Sequence, residues 1–247
     1  MKKKMDEQFS FNLTPKEAVQ EQEKLRASVS TSPLAIPIKF IAGADVSCNM
    51  FGKYAYAGIV VFTYPELEMV EYSCARTKMP FPYIPGLLSF REIPALLLAL
   101  KGIKTRPDAI VVDGHGIAHP RRIGIASHFG LASGIPTIGC AKNILYGKSK
   151  KPDLGKGSKE YIYDPKTNEM IGVSLRTKDN VSPVFVSPGH GISLEEAVDI
   201  VEHSLRGYRL PEETRIAHNT VNEFRIWSKE AAARDTLRKD FLRQQKL

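Results

Sequence analysis

Two aspartates each follow an apolar, strand-like run, and a catalytic site could be built on them. Asp45 comes directly after Ile41-Ala42-Gly43-Ala44, and Asp113 comes directly after Val111-Val112. A buried carboxylate is costly unless a cation compensates it. In α/β proteins, ligands bind where the carboxyl ends of neighbouring parallel strands meet. If these two strands are neighbours, the pair of aspartates predicts a hard-oxygen site suited to Mg²⁺.

Each of these carboxylates also has an ordinary explanation. Aspartate often caps a turn or a helix, and Asp113 precedes Gly114. Glu92 enters a very apolar segment. It is either a third carboxylate of the site or a solvated residue in the first turn of a helix, where the helix dipole favours it.

The segment 113–122 combines glycines, histidines and arginines immediately after the second aspartate. His119 could be an acid–base group or a metal contact, and Arg121 and Arg122 could bind phosphate. Lys142 follows another apolar run, residues 135–140. It is either an exposed loop residue or a cation that stabilises charge on a phosphoryl oxygen.

The segment 80–88 is apolar but carries prolines at positions 80, 82 and 85, which prevent regular structure. Two of these prolines bracket Tyr83 and Ile84. A stiff loop with an aromatic tip could be inserted between stacked bases, as minor-groove wedges are. The alternative is a proline-rich loop that packs on the core.

The composition limits what class of protein this can be. The chain has 247 residues, is 43% hydrophobic and carries a formal net charge of +8. This apolar content excludes a disordered chain, and the basic surplus hints at a polyanionic partner. The longest strongly apolar run, residues 93–100, is too short for a bilayer span of roughly 20 residues, so we expect no membrane association.

The start of the chain and its cysteines predict a cytoplasmic protein. Met1-Lys2-Lys3-Lys4 is followed by acidic and polar residues instead of the apolar region of a signal peptide. Cys48, Cys74 and Cys140 are widely spaced and form no C-x-x-C pair. A disulfide framework or a structural zinc site is therefore not expected.

Two stretches are rich in basic residues, and each could track a phosphate backbone or be a solvated face. The first has lysines at positions 142, 148, 150, 151, 156 and 159. The second has basic residues at positions 229, 234, 238, 239, 243 and 246, interspersed with acidic ones.

The elements that must position these residues follow from hydrophobic periodicity and turn signals. Thr14-Pro15-Lys16-Glu17 predicts a capped helix start. Three strand-like runs joined by short turns predict antiparallel neighbours at residues 39–47, 53–62 and 67–78. A buried helix follows at residues 87–101, with Pro94 either kinking it or delaying its start.

The second half of the chain predicts a parallel unit followed by further strands and helices. Strand 108–113, helix 122–133 and strand 135–140 form a parallel crossover. The later elements are strands 160–163, 170–176 and 183–186, a helix at 193–206, a helix from 211 and a basic helical extension at about 228–247. We expect one α/β domain spanning residues 1–247.

These motifs together resemble the endonuclease V family, the deoxyinosine 3′ endonucleases, over roughly residues 12–225 and in collinear order. The motifs are Gly43-Ala44-Asp45-Val46-Ser47, the segment 82–92 (Pro-Tyr-Ile-Pro-Gly through Phe-Arg-Glu), Val112-Asp113-Gly114-His115-Gly116, Ala118-His119-Pro120-Arg121, Gly139-Cys140-Ala141-Lys142, Val186-Ser187-Pro188-Gly189-His190 and Thr214-Arg215-Ile216-Ala217-His218. The resemblance implies a ribonuclease-H-like mixed sheet of three antiparallel strands and a parallel βαβ unit, flanked by helices. It also implies hydrolysis of the second phosphodiester bond 3′ to a deaminated base, with 3′-hydroxyl and 5′-phosphate products.

The resemblance assigns roles to individual residues. Asp45 and Asp113 match metal-binding aspartates, Glu92 matches the family's third acidic residue, and His119 matches a histidine at the active site that could also contact the metal. Mg²⁺ is the implied cofactor, with Mn²⁺ as a substitute. Lys142 matches the lysine beside the scissile phosphate. The wedge corresponds to Pro82, Tyr83, Ile84 and Pro85; the pocket for the flipped base to Gly86, Leu88, Gly114, Gly124 and Ile125; and the phosphate contacts to Arg121, Arg122, Lys142 and His218. His218 matches a variable position.

Several alternatives stay open from the sequence. The substrate could be DNA with deaminated bases or inosine-containing RNA. Matched deoxyinosine and inosine strands differ only in the 2′-hydroxyl groups. A non-catalytic binder would use the wedge and the basic surface alone, but would gain nothing from carboxylates that face phosphate. A dinucleotide enzyme is excluded because Gly114-His115-Gly116 lacks the G-x-G-x-x-G spacing. The number of metal ions and the residue that takes the proton from water also stay open, and we expect a monomer.

Overall fold

Within the described residues, 11–244, the chain forms helices and strands that alternate in the predicted order in this computed structural model. They are α1 (Pro15–Arg26), β1 (Phe40–Cys48), β2 (Tyr54–Thr63), β3 (Met69–Lys78), α2 (Leu88–Lys101), β4 (Ala109–Val112), α3 (Ile125–Ser133), β5 (Thr137–Ala141), β6 (Lys159–Tyr163), β7 (Met170–Leu175), β8 (Val184–His190), α4 (Leu194–His203) and α5 (Glu212–Gln244). Side chains are described as far as residue 231.

The eight strands form one mixed sheet in the order β3-β2-β1-β4-β5-β8-β7-β6. The first three strands are antiparallel neighbours, and β1, β4 and β5 pair in parallel. Strand β8 then runs antiparallel to β5. The predicted α/β architecture is thus confirmed: three antiparallel strands lead into a parallel βαβ unit, with helices on both sides.

Helices cover both faces of the sheet because successive side chains of a strand point to opposite faces. Ile41 of β1 packs in the cluster that includes residues of α4 and α5, such as Val201 and Ala217. Ala42 and Ala44 pack on the opposite face against α2 and α3. The central strands are therefore buried on both faces, as their continuous apolar sequences predict.

Some predicted boundaries differ from those in the structure. Helix α3 begins at Ile125 instead of residue 122, because Arg122 adopts a positive φ of 58° that no helix can contain. Helix α2 passes through Pro94 without interruption, so its start is not delayed. Strand β8 continues past residue 186 to His190 despite Pro188 and Gly189.

The C-terminal extension continues helix α5, which extends from Glu212 to Gln244. The predicted basic cluster starts in this helix at Lys229, but its other basic side chains lie outside the described residues, as do residues 1–10. No helix in the described part of the chain is long and apolar enough to cross a membrane.

Candidate active site

The parallel register of β1 and β4 brings the two strand-end aspartates together. Ala44 pairs with Val112, and the Asp113 N–H donates to the Ala44 carbonyl at 2.9 Å. Asp45 and Asp113 therefore lie side by side, each one residue beyond the last pair of the parallel strands. Since side chains alternate along a strand, both carboxylates point to the α5 side of the sheet. The adjacency expected from the sequence is present.

Two basic groups face this pair of carboxylates. Lys142, which directly follows β5, places Nζ 2.5 Å from Asp113 Oδ2. His218 of α5 places Nδ1 2.7 Å from Asp45 Oδ2. Burial, and then the negative charge of Asp113, raise the pKa of Asp45, while His218 and Lys142 act in the opposite direction. The charged form of Asp45 is thus disfavoured first by burial and then by the neighbouring carboxylate.

These residues have the composition of a site for a hard divalent cation. One ligand atom each from Asp45, Asp113 and His218 can be chosen so that all three lie within 4.8 Å of one another. Carboxylate oxygens are the ligands that Mg²⁺ prefers, and a cation between the two aspartates would relieve the repulsion that raises the Asp45 pKa. The donor set therefore fits a metal ion of this class.

Glu92 is turned towards the interior and does not lie in a solvated first turn. It is the fifth residue of α2, lines a cavity together with Asp113, and has Oε1 3.9 Å from Cys48 Sγ. Burial, and next the charge of Asp45, raise its pKa to about 7. Glu92 is outside the group of possible metal ligands formed by the described residues, so its metal role stays a prediction.

The cavity beside the aspartates has a volume of about 180 Å³. All five residues predicted for the base pocket line it: Gly86, Leu88, Gly114, Gly124 and Ile125. Its lining also includes Tyr83, Glu92, Asp113 and His119. One cavity is therefore lined by the predicted base pocket, by part of the predicted wedge and by two of the three predicted acidic residues, while Asp45 is not in its lining.

Two glycines that line the cavity are packed too closely against neighbouring atoms to carry a side chain. An added Cβ at Gly114 would overlap the Ile125 side chain, and one at Gly124 would overlap the carbonyl oxygens of His115 and Gly116. The backbone of both glycines therefore borders the cavity directly. Backbone N–H and C=O groups in such positions can bind the edge of a planar ligand.

A cluster of three side chains holds the loop that contains the predicted wedge. The Gly86 carbonyl accepts hydrogen bonds from Gln22 Nε2 at 3.1 Å and Arg121 Nη2 at 2.8 Å, and it lies 3.1 Å from His119 Nε2. The Arg121 N–H donates to His119 Nδ1, and Arg121 Nε donates to Gln22 Oε1 at 2.5 Å. Gly86 itself has a positive φ of 78°, which glycine adopts without strain.

This cluster bears on the predicted roles of His119 and Arg121. Burial, followed by the charge of Arg121, lowers the pKa of His119 to about 4, so its imidazole is neutral at pH 7. Both ring nitrogens already have partners in the loop. Catalytic and phosphate-binding roles for these two residues stay predictions, while their contacts show that they position the loop.

The predicted wedge loop has one buried end and one exposed tip. Phe81 is 2% exposed and packs with Leu87 and Phe90, whereas Tyr83 at the tip is 43% exposed. The two alternatives considered for this loop therefore both describe part of it. Its base packs on the core, and its aromatic tip projects beside the cavity.

Arg122 and the lysines that follow Lys142 differ in their surroundings. Arg122 donates to Glu169 Oε2 at 2.6 Å and lies 2.9 Å from Asp164 Oδ2, so its side chain is engaged in an ion-pair cluster. Its phosphate contact stays a prediction. The lysines of the first basic stretch after Lys142 are exposed, at positions 148, 150, 151, 156 and 159, and Lys159 pairs with Glu202.

Two placements were not predictable from local sequence. His218, expected among the phosphate contacts, lies against Asp45 from a position 173 residues away. Gln22, buried on α1, had no predicted role but holds both the Gly86 carbonyl and Arg121. The only local signal for Gln22 is its place in an otherwise solvated helix, facing inward beside Ala18.

The chain is similar over most of its length to known proteins. Residues 23–219 match the family model described as Endonuclease V. The chain is 48% identical over 202 residues to endonuclease V of Dictyoglomus turgidum, covering 82% of this chain and 87% of that protein. It is 46% identical over 215 residues to endonuclease V of Gloeobacter violaceus, covering 86% and 87%.

Solved structures show the same fold. The endonuclease V structure from Streptomyces avermitilis is 38% identical, with a TM-score of 0.80 over 89% of this chain and 95% of that one. Endonuclease V of Ciona intestinalis, in complex with a 24mer DNA containing an inosine followed by a ribo-adenosine, is 28% identical, with a TM-score of 0.73 over 84% and 95%. Because the family model covers residues 23–219 and the relatives are nearly half identical over most of both chains, the chain belongs to the endonuclease V family.

Proposed function

We propose that this protein is a metal-dependent endonuclease that recognises deaminated bases in DNA, chiefly deoxyinosine. It hydrolyses the second phosphodiester bond 3′ to the lesion and leaves 3′-hydroxyl and 5′-phosphate ends. The observation that carries this proposal is a cavity lined by Asp113, whose carboxylate lies close to that of Asp45. A base held in the cavity would keep the strand that follows it near the acidic centre.

The cavity supports recognition of a base turned out of the duplex. Its wall contains the backbone of Gly114 and Gly124 and the side chains of Leu88 and Ile125, which suit a flat, partly polar ring. Inosine pairs weakly, so its extrusion from the helix costs less than that of a normal base. Tyr83 at the exposed tip would fill the gap left in the stack.

The acidic centre supports phosphodiester hydrolysis with Mg²⁺, for which Mn²⁺ would substitute. Asp45 and Asp113 would hold the ion, with His218 beside them. When bound, such an ion polarises the phosphoryl oxygen and activates water. Lys142, 2.5 Å from Asp113, would approach the scissile phosphate, and the exposed lysines at 148, 150 and 151 would bind the strand beyond it.

The decisive experiment is a nicking assay with both strands end-labelled. Duplexes carry deoxyinosine, or adenine or guanine as controls, at one central position, with Mg²⁺, Mn²⁺ or EDTA. We expect one nick in the inosine strand, one nucleotide beyond the lesion on its 3′ side, only with a divalent ion. A DNA ligase should seal the nick, since sealing requires the 3′-hydroxyl and 5′-phosphate ends.

Three results would contradict the proposal. Equal cleavage of the adenine control would show that the enzyme does not recognise the lesion. Full activity in EDTA would show that cleavage does not require a divalent metal ion. Tight, salt-dependent binding of the inosine duplex without cleavage under any divalent ion would instead identify a non-catalytic binder.

Inosine-containing RNA is the second candidate substrate. The observation that favours it is the DNA bound to the Ciona intestinalis relative, which has a ribo-adenosine after the inosine. Three matched strands decide between the substrates: all-deoxy, all-ribo, and deoxy with a single ribonucleotide 3′ to the inosine. Faster cleavage of the all-ribo strand would make RNA the main substrate.

The protein would act as a monomeric, single-domain enzyme of the cytoplasm. Size-exclusion chromatography with light scattering should give one species near 27.5 kDa, the mass of the chain. A stable dimer would contradict the first of these expectations.

A further inference from the structure

Three polar residues of α5 form a row that faces the end of β1. His218, Asn222 and Arg225 are spaced by four and three residues, so they lie on one face of the helix. Ser47, two residues beyond Asp45, lies opposite this row. Of this row, only His218 belongs to the group of possible metal ligands.

The hydrogen bonds along this row have one direction. Arg225 can only donate, and its Nη1 donates to Ser47 Oγ at 2.8 Å. Ser47 then donates its one hydroxyl proton to Asn222 Oδ1, also at 2.8 Å. This makes the Asn222 amide nitrogen, 3.2 Å from His218 Nε2, the donor to that ring nitrogen. The remaining ring nitrogen, Nδ1, carries its proton towards Asp45 Oδ2 at 2.7 Å.

We propose that Arg225, Ser47 and Asn222 act as positioning residues, which hold the His218 imidazole with its proton on Nδ1 as a donor to Asp45. Both ring nitrogens are then occupied, so His218 orients the carboxylate ligand and does not offer a lone pair to the metal ion. Histidine and carboxylate pairs beside metal sites are oriented by such outer contacts. This inference rests on the proposed metal-dependent nuclease function.

The opposite orientation of the Asn222 amide gives a poorer network. Its oxygen would then face His218 Nε2, and the ring would need protons on both nitrogens to bond Asn222 and Asp45 together. Ser47 would accept from both Arg225 and Asn222, and its own proton would lose the Asn222 acceptor. The two arrangements place different numbers of protons on His218, so they can be told apart.

The far end of the chain of hydrogen bonds is anchored to the turn after β1. Arg225 Nη2 also donates to Asn49 Oδ1. Arg91 of α2 donates to the carbonyls of Asn49 at 2.5 Å and Met50 at 2.9 Å. The row thus connects α5, β1 and α2 around the acidic centre, which keeps Arg225 in place as the first donor.

The first test reads the protons of His218 directly, in the metal-free full-length protein. Histidine ¹⁵N NMR should show one protonated nitrogen, Nδ1, and one unprotonated nitrogen, Nε2, for the residue whose signals disappear in His218→Gln. In Asn222→Leu the preference for Nδ1–H should be lost. In Asn222→Asp the proton should move to Nε2 or occupy both nitrogens, because a carboxylate there accepts and cannot donate.

The second test uses cleavage of the inosine duplex, with Asn219→Leu as the matched control. Asn219 is exposed on the same helix and faces away from the row. Asn222→Leu should lower kcat by about tenfold to a hundredfold, the usual range for such outer contacts, with KM changed less than twofold. Thermal unfolding should be similar for both leucine variants, which separates positioning from a loss of folding.

The outcomes separate this inference from the proposed function. Protons on both nitrogens of His218 in the unmodified protein, or an unchanged ¹⁵N pattern and kcat in Asn222→Leu, would overturn the inference. A wild-type protein with the expected ¹⁵N pattern that fails to nick inosine DNA would instead overturn the proposed function and leave the arrangement of His218 intact.

Discussion

Two buried carboxyl groups, one on β1 facing α5 and one on α5 itself, differ in what surrounds them. Asp45, 7% exposed, faces His218 and lies near Lys142 and a second carboxylate, Asp113. Glu213 is 0% exposed, and neither of its oxygens makes a hydrogen bond of normal geometry within the described residues. Burial raises the pKa of Glu213 to about 8.

The difference shows that two buried carboxyl groups at one helix can be stabilised in different ways, one by a metal ion and the other by a proton. At Asp45, burial is the largest cause of the raised pKa and repulsion by the neighbouring Asp113 carboxylate is the second, and a divalent cation would relieve both. At Glu213, the cost comes from burial, which a proton relieves. The first region is suited to binding a metal ion, while the second lies in the structural core below it.

Close packing of β1 on α5 connects the two regions. A Cβ added at Gly43, two residues before Asp45, would overlap the Glu213 carbonyl oxygen. The helix can therefore approach the strand only because this residue is glycine. The same approach brings His218, further along α5, within hydrogen-bond distance of Asp45.

The largest effect should follow from removing one carboxylate of the Asp45 and Asp113 pair. Asp113→Asn should lower kcat on inosine DNA more than about a thousandfold, or about 4 kcal/mol, because it would delete a proposed charged metal ligand and the partner of Lys142. Calorimetric titration with Mn²⁺ should show the matching loss of affinity. Asp153→Asn, at an exposed site, is the control, and equal activity of the two variants would disprove the metal assignment.

The contact between the two regions can be broken at its closest point. Gly43→Ala should reduce the free energy of unfolding by about 3 kcal/mol, because α5 must move away from β1 to admit the methyl group. Urea unfolding measures this change. Gly155→Ala is a suitable control, since its Cβ would meet only Ser158 Oγ, at 3.8 Å. Equal stability of both variants would show that the packing is looser than described.

Removing the Lys142 cation would leave the Asp45 and Asp113 carboxylates with less positive charge nearby, which is closer to the surroundings of Glu213. Lys142→Met should lower kcat about thirtyfold, or about 2 kcal/mol, through loss of charge stabilisation at the phosphate. Mn²⁺ affinity should be unchanged or higher, because Asp113 loses a competing cation. The exposed Lys150→Met is the control. A loss of metal affinity in Lys142→Met would contradict this division of roles.

The smallest effect is a change in stability caused by the buried Glu213 carboxyl group. Because the folded-state pKa of Glu213 is about 8 instead of 4.5, the unfolded chain releases this proton first, and its contribution lowers stability as pH rises from about 4.5 to about 8. Glu213→Gln should raise the unfolding free energy at pH 8 by about 1–2 kcal/mol and change little near pH 4.5.

Urea unfolding at both pH values tests this prediction. Glu223→Gln, exposed on the same helix, should show neither effect. A stabilisation of Glu213→Gln that is independent of pH would mean that the buried carboxyl group is not the titrating group responsible.

Local pattern was sufficient for the sheet and for the residues at its edge. Apolar runs ending in Asp45, Asp113 and Lys142 marked three strands whose ends meet, since parallel strands place their carboxyl ends on the same edge. The glycines and apolar residues that the resemblance assigned to the base pocket line one cavity, and their role in binding a base stays a prediction. The predicted start of α3 was wrong by three residues, because a positive φ at Arg122 leaves no clear mark in the sequence.

Contacts between distant elements were decided only by folding. His218 meets Asp45 because α5 packs across β1, and Gln22 reaches Gly86 because α1 lies against the loop. Arg122, predicted for phosphate, is held by acidic residues from a later turn. Residue type and local spacing determine which side chains can do chemistry. Which of them meet depends on the packing of elements far apart in the chain, and local pattern does not encode that geometry.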